Sequence, residues 1–439
     1  MSKLTVIPLI YHDDLITNYH ALADLPGFVL LESADSRLGR YDIVSAYPYD
    51  NLKVPHGSVD LNEAFNKLER LLPPAQPGSD LPFQGGGIGY IAYEVGAKLA
   101  GIESISHPVL SDMPLIDVSF YDWAIITDHK TRTVSLMAAN HCSETALLVN
   151  EIRQRWCNRG VAKHSFALSK AFAPLIKWPE YQHAFETIHH DLTQGRAYQV
   201  NYTQPFVAQY QGDPWRMYQQ VRNKNRVPFS AFLRLDSADV LSFSPERFLL
   251  MDDSQLLTSP IKGSIKRSEN PADDQRLKKT LLSSSKNRAE NIMIVDLLRN
   301  DLGKIALTGS VNVQSLCELQ SFSGVHHLVS HIAAQCREEF TPLQAFAACF
   351  PGGSITGAPK QEAMRIISEH EPFARGIYCG SIGYFSSHGR FDSNLAIRTV
   401  VARENTLYLA AGGGIVIDSN CEDEYAECYT KIKAILSEL

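Results

Sequence analysis

From Val240 to Ser264 the chain reads VLSFSPERFLLMDDSQLLTSPIKGS. The runs VLSFSPERFLLM and QLLTS are apolar and short, and DDS between them is turn-forming, so both read as strands. Outward from them, AYQVNYTQPF (197–206) and FSAFLRL (229–235) are strand-like, and SVNVQSL (310–316) follows later. Helical stretches lie on either side. WPEYQHAFETIHHDLTQG (178–195) has Pro179 in a first turn and Gly195 as a stop, and KNRAENIMIVDLLRND begins at Lys286. Strands and helices are therefore clustered and do not alternate. That pattern predicts an α+β fold, with antiparallel sheets in a sandwich core flanked by helices, over a doubly wound parallel sheet.

The first part of the chain carries more short β-like runs: KLTVIPLIY, GFVLLES, IGYIAY, WAIITD and TVSLMAA. A helical period appears in LNEAFNKLERLL (61–72), and SETALLVNEIRQRWC closes this part. The stretch 160–178 is the best boundary, dividing residues 1–165 from 175–439. The chain closes on the helix EDEYAECYTKIKAILSEL.

With 44% hydrophobic and 20% charged residues, the composition is that of a soluble globular chain. A net charge of −7 argues against a nucleic-acid partner, and an anionic ligand would need a locally basic or metal-holding site. The N-terminus lacks a signal-peptide pattern, and no apolar run is long enough to span a membrane. Eight scattered cysteines without a CxxC pair fit a reduced, cytoplasmic chain.

Several stretches could carry chemistry. PGGSITGAPK (351–360) fails as a P-loop because Ala358-Pro359 stand where Lys and Ser or Thr are needed. It remains a Gly-rich turn entering a helix, either an anion cradle or a plain turn. AAGGGIVID (410–418) lacks dinucleotide-site spacing; its glycines either admit a ligand to the backbone or form a bulge. His327 and His331, four apart in VHHLVSHIAA, would share a helix face, with no HExxH motif. Ile292, Met293, Val295, Leu297 and Leu298 nearly surround the helix after Glu290, which predicts a buried helix. Glu424, Glu427 and Lys431 share one face of the last helix, as a solvated ion-paired face or as half of a Mg²⁺ site. Lys262, between Ile261 and Gly263, is a loop cation, an anion clamp or a nucleophile.

Taken together and in order, SPERF (244–248), PIKGS (260–264), KNRAENIMIVDLLRNDLG (286–303), VHHLVS (325–330), PGGSITGAPK, GSIGY (380–384), AIRT (396–399), AGGGIV and EYAE (424–427) resemble the chorismate-utilising enzymes. LLESA (30–34) and GYIAYE (89–94) are similar to the first half of the amino-transferring members. The resemblance spans nearly the whole chain and implies an anthranilate-synthase-like fold. PIKGS resembles the PIKGT of the aminodeoxychorismate-forming branch and not the PIAGT of anthranilate synthases, which are the alternative. Ser264 departs from the branch's usual Thr; it keeps the hydroxyl and loses a methyl.

The resemblance implies a mechanism. Lys262 is read as a nucleophile toward C2 of chorismate, with Glu246 as general acid at the C4 hydroxyl. A free lysine is only about 0.1% neutral near pH 7.4, so burial and nearby cations, with Lys266 and Arg267 as candidates, must lower its pKa. Glu290 and Glu427, with Glu424 assisting, are expected to hold Mg²⁺. Arg398 and Tyr378, with the backbone of Gly412 and Gly414, are expected to grip the enolpyruvyl carboxylate. Ser354, His327, Gly263, Ser264 and Lys431 complete the expected pocket. The product would be 4-amino-4-deoxychorismate, on the way to para-aminobenzoate and folate. A separate glutamine amidotransferase subunit would supply ammonia. LLESAD also resembles the family's tryptophan pocket, for which Glu32 and Ser33 are candidates; a buried strand with a polar end is an equal reading.

Overall fold

The computed structural model describes residues 4–35, 39–57, 60–76, 79–103, 105, 110–158, 165–322 and 324–439. Two antiparallel sheets form its centre. Among the described residues the larger has twelve strands, running in space from Thr5–Leu9 at one edge through Val29–Glu32, Phe229–Arg234, Asp239–Ser244, Thr399–Arg403 and Thr406–Ile415 to Gln199–Gly212 and Gly357–Ala358. The smaller has ten and runs from Ile261–Lys266 through Val325–Gln335, Gln255–Ser259, Arg247–Asp252, Phe391–Leu395, Ser381–Ser386 and Gly86–Ile91 to Asp50–Val54. Both sheets contain strands from before and after the expected boundary at 160–178. Residues 159–164 of that boundary lie outside the described residues; Phe166–Pro174 is a strand paired with Gln199–Gly212.

Side chains alternate across the larger sheet, as the pleat requires. Ala231, Leu233 and Val240 face a core shared with Leu249, Ile382 and Phe391 of the smaller sheet. Phe232, Leu241 and Phe243 face the opposite way, toward Trp215, Ile188, Ile367 and Ile432 of the covering helices. No described helix is long and apolar enough to cross a membrane.

Three expectations need correction. VLSFSPERFLLM is not one strand. Asp239–Ser244 belongs to the larger sheet and Arg247–Asp252 to the smaller, and the chain crosses between them at Pro245-Glu246. VHHLVSHIAA is a strand, Val325–Gln335, paired on both sides, because its β-branched and aromatic residues complete the smaller sheet. The helix Ser285–Gly303 is buried on one face only, through Asn291, Ile294, Val295, Leu298 and Leu302; Ile292 is 41% exposed.

Candidate active site

The chain crosses between sheets a second time at Ala396–Arg398, from Phe391–Leu395 to Thr399–Arg403. The two crossings lie side by side: Leu395 N–H donates to the Glu246 carbonyl (3.0 Å) and Phe243 N–H to the Arg398 carbonyl (3.1 Å). Arg398 takes a left-handed backbone conformation (φ 52°), which turns its side chain out of the ladder. Glu246 and Arg398, 152 positions apart in sequence (398 minus 246), are thereby brought to one seam.

Glu246 is buried, and burial pushes its carboxyl pKa up. The Ser354 hydroxyl, which donates to Oε1 at 2.7 Å, opposes that rise, as do the charges of Lys262 and Arg398. Ser354 also reaches Lys262 directly: its carbonyl accepts from Nζ at 3.1 Å. One residue of the PGGSIT turn therefore touches both the candidate acid and the candidate nucleophile. Behind that turn, Arg375 is buried and donates to the Ile355 carbonyl (2.9 Å), the Asn201 carbonyl (2.7 Å) and Glu371 (2.7 and 2.8 Å). Glu94, from GYIAYE, accepts from the Arg375 backbone N–H at 2.7 Å. Arg375 and Glu94 were not singled out in the sequence, where a salt-bridging Arg looks like any other.

The Lys262 ammonium pKa is lowered, by burial first and then by Lys431. Glu246, Glu290 and Glu427 push the other way without restoring it. The expected helpers Lys266 and Arg267 are not the cation at work; Arg267 instead binds Asp274 and the Phe322 carbonyl. Gly263 has φ 82° and lies against Asn287, where a Cβ would stand 3.0 Å from the Asn side chain. A side chain there would be strained and would press on the helix that carries Glu290.

His327 is buried, and its Nδ1 lies 2.5 Å from the Ser264 hydroxyl. Its Nε2 is buried without a partner. Burial and the nearby Arg398 charge push its pKa down to about 3, so the ring is neutral. The half-buried Arg398 guanidinium makes no hydrogen bond among the described residues, and desolvation lowers its pKa. Tyr378 is buried, and its phenol pKa is raised well above the ordinary value for the same reason.

Glu290 is half-buried on Ser285–Gly303, and Glu424 and Glu427 lie on Cys421–Leu436. Glu424 Oε1 accepts from the Ser419 hydroxyl at 2.7 Å, while Oε2 is buried with no partner. Burial raises the Glu424 pKa. Burial would raise that of Glu427 too, but Lys431, Lys262 and Lys286 outweigh it and hold it low. Lys431 Nζ pairs with Glu427 Oε1 at 2.6 Å and donates to the Gly412 carbonyl at 2.7 Å. In Thr406–Ile415 the decisive glycine is Gly413. A Cβ there would fall 2.5 Å from Glu424 Oε2, whereas at Gly412 and Gly414 it would meet Tyr202 and Gln199. Among the described residues Asp191, Glu369 and His370 bring three ligand atoms within 4.8 Å of one another, and Glu290, Glu424 and Glu427 do not. The orphaned Glu424 oxygen, the glycine that makes room for it and the carboxylates facing Lys262 offer the hard oxygen donors that Mg²⁺ takes alongside substrate and water oxygens. Gly413, Ser419 and Lys286 were missed in the sequence. Strand alternation within AGGGIV would have pointed to Gly413.

Glu32 and Ser33 are not part of this site. They lie at the end of Val29–Glu32 in the larger sheet. Glu32 is held by Tyr218 (2.8 Å) and Arg222 (2.8 Å from Nε). The Ser33 backbone N–H donates to Asp42 (2.7 Å), and its hydroxyl to the Tyr41 carbonyl (2.9 Å).

Residues 29–437 match the chorismate binding enzyme family. The chain is 40% identical to aminodeoxychorismate synthase component 1 of Escherichia coli, covering 99% of this chain and 98% of that one. It is 32% identical to anthranilate synthase component 1 of Aquifex aeolicus, over 93% and 88%. The solved anthranilate synthase component I of Streptococcus pneumoniae superposes with a TM-score of 0.82 at 29% identity, over 98% and 99% of the two chains. An isochorismate synthase of Escherichia coli, MenF, shares the fold at 17% identity (TM-score 0.77). A family match over most of the chain and full-length relatives at this identity agree with the seam geometry: the chain belongs to the chorismate binding enzymes.

Proposed function

We propose that this chain converts chorismate and ammonia to 4-amino-4-deoxychorismate. The observation that carries the reading is the Ser354 bridge, which holds a carboxyl with a raised pKa and an amine with a lowered one in one small space. Neutral Lys262 Nζ attacks C2 of the ring. The double bond shifts, and the C4–O bond breaks as Glu246 delivers its proton, releasing water. Ammonia then attacks C4, the double bond returns, and the C2–N bond to Lys262 breaks. The adduct nitrogen keeps both of its protons, so the lysine leaves as the neutral amine, and the ammonium formed at C4 returns one proton to the Glu246 carboxylate. Two displacements leave the stereochemistry retained and the enolpyruvyl group in place.

Arg398, with its free guanidinium, is suited to a bidentate grip on a carboxylate. His327 offers an uncharged nitrogen, and Tyr378 a protonated phenol. Glu290, Glu424 and Glu427 would hold Mg²⁺, which when bound neutralises a ring carboxylate and draws electron density from the diene.

The relatives' designation as component 1 supports a second component, read here as a glutamine amidotransferase that supplies ammonia in the cytoplasm. A tryptophan-type ligand near Glu32 and Ser33 would have to be held by something other than the Glu32 carboxylate. An anthranilate synthase reading is disfavoured by the lysine at position 262.

The test is incubation with chorismate, Mg²⁺ and ammonium salt, with products identified by mass spectrometry. Replacement of OH by NH2 without pyruvate release is expected. Anthranilate plus pyruvate would overturn the reading.

A further inference from the structure

We infer that Lys431 is a resident counter-ion that competes with the divalent cation for Glu427, and so sets how tightly the metal binds. The inference rests on the metal site of the proposed function and adds the residue that regulates it. Lys431 Nζ is committed twice, to Glu427 Oε1 at 2.6 Å and to the Gly412 carbonyl at 2.7 Å. The first partner is one of the carboxylates a cation would need. The second anchors the ammonium to the strand whose next residue, Gly413, makes room for Glu424. A Cβ on Gly413 would lie 3.8 Å from Lys431 Nζ and 2.5 Å from Glu424 Oε2, so both groups pack over one bare stretch of backbone.

Charge completes the argument. Lys431, Lys262 and Lys286 all act on Glu427, and Lys431 and Lys286 on Glu424. Without a cation these ammonium groups neutralise the carboxylates. A divalent ion entering the cluster meets a fixed positive charge that already holds one ligand. Lys431 must release Glu427 while keeping Gly412, which frees N–H donors on the same ammonium for an anionic ligand beside the metal. Lys431 thus changes partner, from a protein carboxylate to a bound anion.

The pair is half-exposed (38% and 47% for the two side chains), so its grip is modest and several-fold effects are the right scale. Mn²⁺ serves as the probe, its free concentration read by electron paramagnetic resonance on the full chain without chorismate. Lys431→Met is expected to lower the Mn²⁺ dissociation constant about threefold or more. Lys431→Arg, which keeps the ion pair, should stay near wild type, and adding Glu427→Gln to Lys431→Met should abolish the gain. A merely structural lysine would leave the Mn²⁺ affinity unchanged or weaken it in both single variants. Wild-type binding with an unchanged or weaker Lys431→Met overturns this inference and leaves the metal reading standing. Absence of Mn²⁺ binding in wild type and Lys431→Met alike overturns the metal reading and this inference with it.

Discussion

His327 offers the sharpest quantitative check on the site. The ring is 1% exposed and lies within the field of Arg398, and its pKa falls from an ordinary 6.5 to about 3. In the unfolded chain His327 takes up a proton as the pH drops below 6.5; in the folded chain it resists until about pH 3. The unfolded state therefore binds more protons across this window, and stability is lost as the pH falls through it. At pH 5 the gap corresponds to 1.5 pH units below the unfolded pKa, or about 2 kcal/mol, compared with a few tenths at pH 7. His327→Gln cannot titrate there. Urea unfolding of both proteins at pH 7 and pH 5, followed by fluorescence and circular dichroism together, isolates the contribution because other groups cancel in the comparison. Any advantage of wild type over the variant should shrink by about 2 kcal/mol at pH 5. An unchanged difference at the two pH values would mean that His327 protonates inside the fold, and the neutral-ring argument would be wrong.

Three further outcomes are expected. Lys262→Ala should lower aminodeoxychorismate formation with saturating ammonium by about 10⁴-fold, on the scale of losing a nucleophile, and should fail to form any chorismate adduct detectable by intact-protein mass spectrometry. Gly413→Ala places a methyl 2.5 Å from Glu424 Oε2, about 1 Å inside ordinary contact, and should weaken Mn²⁺ binding about tenfold in titration calorimetry while thermal stability barely moves. Arg222→Leu leaves the Glu32 carboxylate buried without its cation. It should cost about 3–5 kcal/mol in denaturant unfolding, with turnover per folded molecule retained; unaltered stability would contradict the ion-pair reading.

Much of the fold was legible locally. Turn residues at Asp252–Ser254 and Pro260, the Pro179 helix start and the short apolar runs mark elements that fold as read. The misreadings have one cause. A period of two and a period of four both place His327 and His331 on one face, so VHHLVSHIAA carried no local vote between strand and helix. Pairing decided it: Asn312–Ser321 forms a hairpin with the strand, and Gln255–Ser259 and Ile261–Lys266 also pair with it. Likewise Ile292 looks like core in a helical projection, yet the sheet covers just one side of that helix and leaves it 41% exposed.

The sequence by itself determined the chemistry on offer: a lysine in PIKGS, a carboxylate in SPERF, acidic helices at 290 and 424–427, and the family order that ties them together. Tertiary structure alone decided their meeting. Glu246 and Arg398 meet because two chain segments cross between sheets side by side, joined by backbone hydrogen bonds at 3.0 and 3.1 Å. Only the folded chain gives Ser354 both Glu246 and Lys262, puts Lys431 in place of Lys266 and Arg267 beside Lys262, and sets Gly413 against Glu424. Local patterns encode period and turn, but a pKa depends on burial and on charges that come near through space, and those distances exist only once the sheets have closed.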